Sequence, residues 1–175
     1  MSVKTAEYWD LYDEDRKPLG RQILRGSMTS SSGEYHIVVM VMTMNSQGKL
    51  LCTLRSHEKS KYPDLWEITA GSVLAGEESF AAAKRELFEE TGISVNDCEI
   101  RFVRTVQENT AFIDCYFVRR DIDIADIVLQ DGETSAAKWV GRSEFENMIA
   151  QKKVAFPVAR RYNQLYDFLM QEGFL

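Results

Sequence analysis

The chain has 175 residues, and a length of this order favours a single domain with a sizeable core. Hydrophobic residues make up 45% and charged residues 27%, the balance of an ordinary globular protein. The net charge of −6 disfavours a nucleic acid polymer as partner, because no basic surplus is available to neutralise its phosphates. The N-terminus is polar and no apolar run reaches about 18 residues, so we expect a cytoplasmic protein rather than a secreted or membrane protein.

The first 70 residues predict a β-hairpin, a polar link and the start of a larger sheet. The segments are a strand at 8–12, a turn at 13–18, a strand at 19–26, the link at 27–33, strands at 35–44 and 49–55, a polar loop at 56–65, and a short strand at 66–70. The run at 35–44 is almost continuously apolar, which is typical of a strand covered on both faces.

The remainder of the chain alternates strand and helix patterns. Strands are predicted at 98–106, 112–119 and 136–140, with a short strand near 127–129, and helices at 142–152 and 158–171. With a helix within residues 71–93, these elements predict an α/β fold with a mixed sheet and helices on both sides. The three cysteines, Cys52, Cys98 and Cys115, lie far apart in sequence, so we expect buried, reduced thiols.

Residues 71–93 carry the chemistry. They form a loop that leads into an amphipathic helix, with Ser79 as the expected N-cap and Gly92 as the expected left-handed residue past its end. Glu86, Glu89 and Glu90 fall at i, i+3 and i+4, so they share one helix face. Like charges at this spacing cost about 0.2–0.5 kcal/mol per pair. Carboxylates converging without basic neighbours predict a bound cation, and hard oxygen ligands suit Mg²⁺ or Mn²⁺.

The same stretch resembles the Nudix box, Gly-x5-Glu-x7-Arg-Glu-apolar-x-Glu-Glu-x-Gly-apolar. The matching residues are Gly71, Glu77, Arg85, Glu86, Leu87, Glu89, Glu90, Gly92 and Ile93. The resemblance implies one Nudix domain over 1–175, an α/β/α sandwich with 1–33 as an N-terminal hairpin extension and linker. It also implies a cytoplasmic, Mg²⁺- or Mn²⁺-dependent hydrolase of a diphosphate linkage in a small nucleoside di- or triphosphate or a nucleotide sugar.

Carried over by position, the resemblance implies Glu86, Glu89, Glu90 and the Gly71 carbonyl as metal ligands. The expected catalytic set is Glu86, Arg85 and a general base. Arg85 is expected to pair with Glu77 and fix the loop to the helix rather than touch substrate. The position of the base varies in the family: a box glutamate or a carboxylate from a later loop is compatible with the pattern, and Glu133 is the first choice, with Glu108 as the runner-up.

A narrower resemblance, to the isopentenyl-diphosphate isomerase-like branch, covers residues 10–92. It rests on Tyr12-Asp13-Glu14, Pro18-x-Gly20, Gly33-Glu34-Tyr35-His36, Asn45-Ser46-x-Gly48, Arg55-x3-Lys59 and Pro63-x2-Trp66. It implies that Arg55 and Lys59 grip a diphosphate, and Trp66 is a candidate for stacking on a base.

Isomerase activity itself is disfavoured, because Ala70 stands where such enzymes carry a catalytic cysteine and Ser72 stands where they carry a histidine. His36 matches another histidine position of the isomerases, but a lone histidine beside an apolar strand favours a structural role. A non-catalytic nucleotide or sugar sensor is a third reading, which the intact glutamates oppose. A monomer and a homodimer packed through the hairpin are both compatible with the sequence.

Overall fold

The computed structural model describes residues 6–27 and 33–174, so most of the predicted link at 27–33 lies outside the described residues. The strands are β1 Tyr8–Tyr12, β2 Pro18–Leu24, β3 His36–Met44, β4 Leu50–Arg55, β5 Trp66–Glu67, β6 Ala70–Ser72, β7 Ile100–Gln107, β8 Ala111–Arg119 and β9 Thr134–Val140. The helices are α1 Ser79–Thr91, α2 Arg142–Ala150 and α3 Phe156–Gln171. The predicted hairpin, large sheet and three helices are confirmed.

The large sheet is mixed, with the path β5-β4-β3-β8-β7. Strands β3 and β8 run parallel along their whole length, whereas β4, β6 and β7 pair antiparallel with their neighbours. Strand β4 pairs with β3 at Met44 and Leu50, and β6 pairs with β3 at the other end. The chain therefore crosses from the edge of β4 to the edge of β3 between Glu67 and Ala70, and this crossing places the residues that precede the box.

Two apolar layers cover the sheet. Helix α1 packs on one face through Ala82, Ala83 and Leu87, which are fully buried. Helices α2 and α3 cover the other face through Phe145, Tyr162 and further buried residues. Because both faces are covered, β3 reads as a continuous apolar run, as the sequence predicts. No helix in the described ranges is both long and apolar enough to cross a membrane.

The N-terminal hairpin packs against the domain at several points. The backbones of Tyr12 and Tyr35 exchange hydrogen bonds of 2.8 and 2.9 Å, and the Trp9 ring stacks on His36 at 4.0 Å. Arg16, in the hairpin turn, donates two hydrogen bonds of 2.6 and 2.5 Å to the buried carboxylate of Asp114. The hairpin is thereby tied to the sheet by a charged pair as well as by aromatic contact.

Four local expectations are wrong. The segment 66–70 is not one strand, because the chain changes strand partner between β5 and β6. Residues 127–129 do not form the predicted strand, and a 3-10 helix at Ile124–Asp126 lies just before them. Cys98 is exposed, because it lies in the turn before β7 rather than in a strand. Ser79 does not cap α1, because the helix begins at Ser79 itself and Glu78 is in the N-cap position. The Ser79 hydroxyl instead donates to the buried Asp114 carboxylate at 2.5 Å.

Candidate active site

Helix α1 divides the three box glutamates by exposure. Glu90 is buried, Glu86 is half-buried and Glu89 is exposed. The helix ends at Gly92, whose φ of 73° confirms the predicted left-handed residue. The shared face of the helix is therefore confirmed, but it runs from the protein interior at Glu90 to the solvent at Glu89.

Arg85 is the centre of a hydrogen-bond cluster that fixes the loop before α1 to the helix. Its Nε and Nη2 donate to the two Glu77 oxygens at 2.8 Å each, and Nη2 also donates to the Ser72 carbonyl at 3.1 Å. Its Nη1 donates to Glu86 at 2.7 Å and to Glu89 at 3.1 Å. The predicted Glu77–Arg85 ion pair is confirmed. We call these residues, Arg85, Glu77, Ser72, Glu86 and Glu89, the Arg85 cluster.

The idea that the box carboxylates lack basic neighbours is wrong, because Arg85 contacts two of them. The carboxylates of Glu86 and Glu89 are turned towards the Arg85 guanidinium. Within residues 6–27 and 33–174, no three His, Cys, Asp or Glu side chains are arranged as a ready metal-binding group. The site is therefore not a preformed metal cage among the described residues, and its capacity for a cation depends on carboxyl oxygens that have no hydrogen-bond donor.

Gly71 and Glu86 are in close contact. A Cβ atom on Gly71 would lie 2.0 Å from the Glu86 carboxyl carbon, so any side chain there would displace the carboxylate. Gly71 pairs with Val39 in the sheet, which fixes the backbone under Glu86. The glycine of the box is thus required for space rather than for an unusual backbone conformation, because its φ is not positive.

Glu90 has a buried carboxylate with an unsatisfied oxygen. Among the described side chains, none donates a hydrogen bond to its Oε2. Burial raises the pKa of Glu90 well above its ordinary value, and the nearby carboxylates of Glu67 and Glu86 raise it further. A hydrogen bond from Thr69 acts in the other direction. Buried carboxylates that repel one another favour a bound cation between them.

Glu67 is a site residue that the sequence analysis did not include. It lies on β5, it is buried, and burial raises its pKa above the ordinary value despite an ion pair with Arg55. The Nη1 of Arg55 donates to both Glu67 oxygens, at 2.8 and 2.6 Å. The only signal in the sequence is a charged residue within an otherwise apolar strand, which indicates a paired or functional group.

Arg55 and Lys59, the predicted diphosphate grip, both have carboxylate partners. Arg55 is held by Glu67 and also donates from Nε to the Lys61 carbonyl at 3.0 Å. Lys59 forms an ion pair with Glu133, the predicted base. The structure thus brings the predicted grip and the predicted base into contact. We call Arg55, Glu67, Lys59 and Glu133 the Arg55 cluster.

The other candidates lie elsewhere. Glu108, the second choice for the base, is bound by Arg160 and Arg161, which together lower its pKa although burial acts to raise it. Trp66 packs with the core on the α2 and α3 side of the sheet. Consecutive strand residues point to opposite faces, so the next residue, Glu67, faces α1. Lys138 lies 4.6 Å from the centre of the Trp66 ring.

His36 has the character of a structural residue. Its ring is buried against Trp9, and burial lowers its pKa to about 4. It is therefore neutral at physiological pH. Stacking with the hairpin agrees with the structural alternative for this histidine.

The site fits a hard divalent cation on three observations. The Glu90 Oε2 atom has no donor among the described groups, the Gly71–Glu86 contact leaves no room for a side chain, and the available donors are oxygens. The carboxyl groups around this point are Glu67, Glu86 and Glu90. Arg55 pairs with Glu67 and Arg85 pairs with Glu86, which leaves Glu90 as the member of this group whose Oε2 has no donor among the described residues.

Comparison with known proteins defines the class. The family model described as the NUDIX domain matches residues 34–162. The uncharacterized Nudix hydrolase lmo0368 of Listeria monocytogenes is 36% identical over 141 residues, covering 80% of this chain and 83% of that protein. The crystal structure of DR0079 from Deinococcus radiodurans has a TM-score of 0.78 at 25% identity, covering 91% of this chain and 99% of that one. The chain belongs to the Nudix family, and its activity class is pyrophosphohydrolase.

Two further similarities concern ligands and the isomerase branch. The NUDIX domain of Shewanella oneidensis NrtR, solved with ADP ribose, has a TM-score of 0.58 at 19% identity and covers 76% of this chain and 87% of that one. The isopentenyl-diphosphate Delta-isomerase of Pectobacterium atrosepticum is 38% identical over 84 residues, which is 47% of this chain and 46% of that protein. The first similarity shows the fold, and the second covers only part of the chain.

Proposed function

We propose that this protein hydrolyses a diphosphate linkage in a small nucleoside di- or triphosphate or nucleotide sugar, with Mg²⁺ or Mn²⁺ as cofactor. The observation that carries the proposal is the buried carboxylate group at Glu67, Glu86 and Glu90, with Glu90 Oε2 lacking a donor among the described residues. The ADP ribose bound to the NrtR domain supports a nucleotide as the substrate class.

The proposed cation ligands are Glu86, Glu89 and Glu90 together with the Gly71 carbonyl. When bound, Mg²⁺ or Mn²⁺ neutralises diphosphate oxygens and lowers the pKa of water. Glu89 is exposed and is held by Arg85, so it approaches the site from the solvent side. Glu67 is close enough to Glu90 to raise its pKa and is bonded to Arg55, and this pair orients the buried end of the site.

The remaining roles fall to side chains near the carboxylates. Lys59 binds a phosphate of the substrate, and Glu133 accepts a proton from the attacking water. Arg55 supports this end of the site through Glu67. Arg85 keeps the loop that carries Gly71 fixed to the helix, which is a positioning role. We also infer that the hairpin and residues 34–174 act as one domain, because Arg16, Trp9 and Tyr12 all contact the sheet.

The experiment is a substrate panel. Purified protein is incubated at alkaline pH with nucleoside di- and triphosphates, sugar nucleotides and dinucleotides, with and without Mg²⁺ or Mn²⁺. We expect metal-dependent release of a mononucleotide from at least one substrate, and a loss of at least about 100-fold in Glu89→Gln and Glu90→Gln. Glu144→Gln, which breaks a surface bond to Lys138, is the matched control. Full activity in both box variants contradicts the ligand assignment.

The isomerase alternative lacks an acid in the right place. Ala70 carries no thiol, and the buried thiols of Cys52 and Cys115 are unsuitable, since burial raises the pKa of Cys52 far above its ordinary value and that of Cys115 to about 12. Incubation with isopentenyl diphosphate should therefore yield no dimethylallyl diphosphate. Conversion at an enzymatic rate would replace the hydrolase proposal.

A further inference from the structure

The ion pair between Lys59 and Glu133 joins two loops that flank the carboxylates. The two residues are 74 positions apart, so folding alone brings them together. The backbone supports the contact, because Ser56 N donates to the Glu133 carbonyl at 2.9 Å and Lys59 N donates to the Ser56 carbonyl at 3.1 Å. Backbone hydrogen bonds thus hold the two loops together beneath the side-chain pair.

The pair also lies beside the buried carboxylates. Arg55, four residues before Lys59, binds Glu67, and the Thr134 hydroxyl, next to Glu133, lies 3.5 Å from the Glu90 carbonyl. Burial and Arg55 lower the pKa of Lys59, while the carboxylates of Glu67 and Glu90 act to raise it. The Lys59 ammonium therefore experiences the same group of charges as the proposed cation site.

The Lys59–Glu133 ion pair conflicts with the roles proposed for Lys59 in phosphate binding and for Glu133 in proton transfer. A carboxylate bonded to an ammonium group is a weaker base, and an ammonium bonded to a carboxylate has less capacity for a phosphate. Arg55 is poorly placed to take over, because a buried glutamate holds it through two hydrogen bonds. Lys59 and Glu133 keep 19% and 28% of their side-chain surface exposed, so a ligand can reach them.

We propose that the Lys59–Glu133 ion pair is exchanged on substrate binding. A phosphate oxygen of the substrate replaces the Glu133 carboxylate on Lys59 Nζ, and Glu133, no longer bonded to the Lys59 ammonium, acts as base. The water oxygen then bonds to phosphorus, one water proton moves to Glu133, and the anhydride phosphorus–oxygen bond breaks with its electron pair on the leaving phosphate. Lys59 is thus a substrate-binding residue that holds Glu133 until the substrate arrives, and this inference rests on the proposed hydrolase function.

The first test measures binding without chemistry. Calorimetric titration with methylenediphosphonate in Mg²⁺ compares the wild type with Glu133→Gln, Lys59→Met and Glu144→Gln. The account expects Glu133→Gln to bind roughly 2- to 5-fold more tightly, because no ion pair has to be broken. Lys59→Met should bind at least roughly 10-fold more weakly. Glu144→Gln removes a Lys–Glu bond of 3.0 Å on the surface and should bind like the wild type.

The second test separates binding from turnover on the substrate found in the panel. Glu133→Gln should lower kcat by about 100-fold or more while KM falls or holds. Lys59→Arg should reverse most of the increase in KM seen in Lys59→Met, because arginine can pair both with Glu133 and with a phosphate oxygen. Melting curves of all variants identify any loss of folding.

The outcomes separate the exchange from the hydrolase function. If Glu133→Gln binds the diphosphonate as the wild type does or more weakly, or if the wild type does not bind it, the exchange is overturned. If no nucleotide is hydrolysed but Glu133→Gln still binds the diphosphonate more tightly, the exchange stands as a binding device and the proposed hydrolysis fails.

Discussion

The Arg85 cluster and the Arg55 cluster use the same chemistry with opposite results. In the first, Arg85 donates to Glu77, Glu86, Glu89 and the Ser72 carbonyl, so one guanidinium satisfies a whole loop. In the second, Arg55 is committed to Glu67, and the neighbouring Glu90 oxygen has no donor within the described residues. In the first cluster the donors and acceptors satisfy one another and stabilise the loop. Beside the second cluster, the buried Glu90 oxygen remains without a donor among the described residues, and a cation can compensate it.

The largest effect expected from this comparison is that of Glu90→Gln. Activity should fall by at least about 100-fold, because a neutral amide is a poor ligand for a hard cation. In the presence of EDTA, however, the free energy of unfolding should hold or rise, because the amide carries no charge and removes the cost of ionising a buried group whose pKa is raised well above its ordinary value. Activity assays and denaturant melts measure the two effects. A large loss of stability without metal would show that Glu90 is a structural residue.

Gly71→Ala tests the contact between the sheet and Glu86. The new Cβ atom would lie within 2.0 Å of the Glu86 carboxyl carbon, and the end of that side chain can move away. We therefore expect activity to fall by about 10- to 100-fold, with a loss of stability below about 1 kcal/mol. Kinetic assays and urea melts distinguish this result from misfolding. Wild-type activity would mean that the position of Glu86 is not critical.

Arg85→Lys tests the self-contained cluster. Lysine keeps the charge but loses the planar set of donors, so the bonds to Glu77 and Ser72 cannot all form. The free energy of unfolding should fall by about 1–3 kcal/mol with or without metal. Urea melts with and without EDTA measure it. Arg142→Lys, on an exposed helix surface, is the control and should change stability little. An effect seen only with metal present would move Arg85 into the cation site.

Asp114→Asn gives the smallest effect and tests the hairpin. Burial acts to raise the pKa of Asp114, but hydrogen bonds from Arg16, Ser79 and Thr105 leave it below the ordinary value. Because the folded-state pKa is lowered, the stabilisation is present above pH about 4 and is lost as the pH falls through the folded-state pKa. The variant should be about 1–2 kcal/mol less stable at pH 7 and should lose less on acidification. Denaturant midpoints at pH 3–7 measure this, and equal slopes for both proteins would contradict it.

The features that depend on local sequence were predictable, and those that join distant residues were not. The box spacing fixes the Glu77–Arg85 pair and the turn at Gly92, because both follow from positions along one helix and its loop. Glu67 was missed because its role depends on Arg55 across the β4–β5 pairing and on Glu90 in α1. The Ser79 cap was wrong because the helix begins at Ser79 itself, where the hydroxyl donates to Asp114, 35 residues away.

The contact between Lys59 and Glu133 illustrates the same limit at the site. Each residue was predicted from the sequence as an independent participant, one in substrate binding and the other in proton transfer. Their pairing depends on the alignment of β4 with β9, where the register shifts between Leu54 and Arg55. Local propensity does not encode that shift, so the coupling of the two roles became visible only in the fold.

The most direct test of the account is Mn²⁺ binding, measured by electron paramagnetic resonance on the wild type, Glu90→Gln and Glu99→Gln. Glu99 pairs with Arg120 on the surface and serves as the matched control. The account predicts that the wild type and Glu99→Gln bind Mn²⁺ alike and that Glu90→Gln binds at least about 10-fold more weakly. Equal Mn²⁺ affinity in all three proteins would contradict a cation site at the buried end of the box helix.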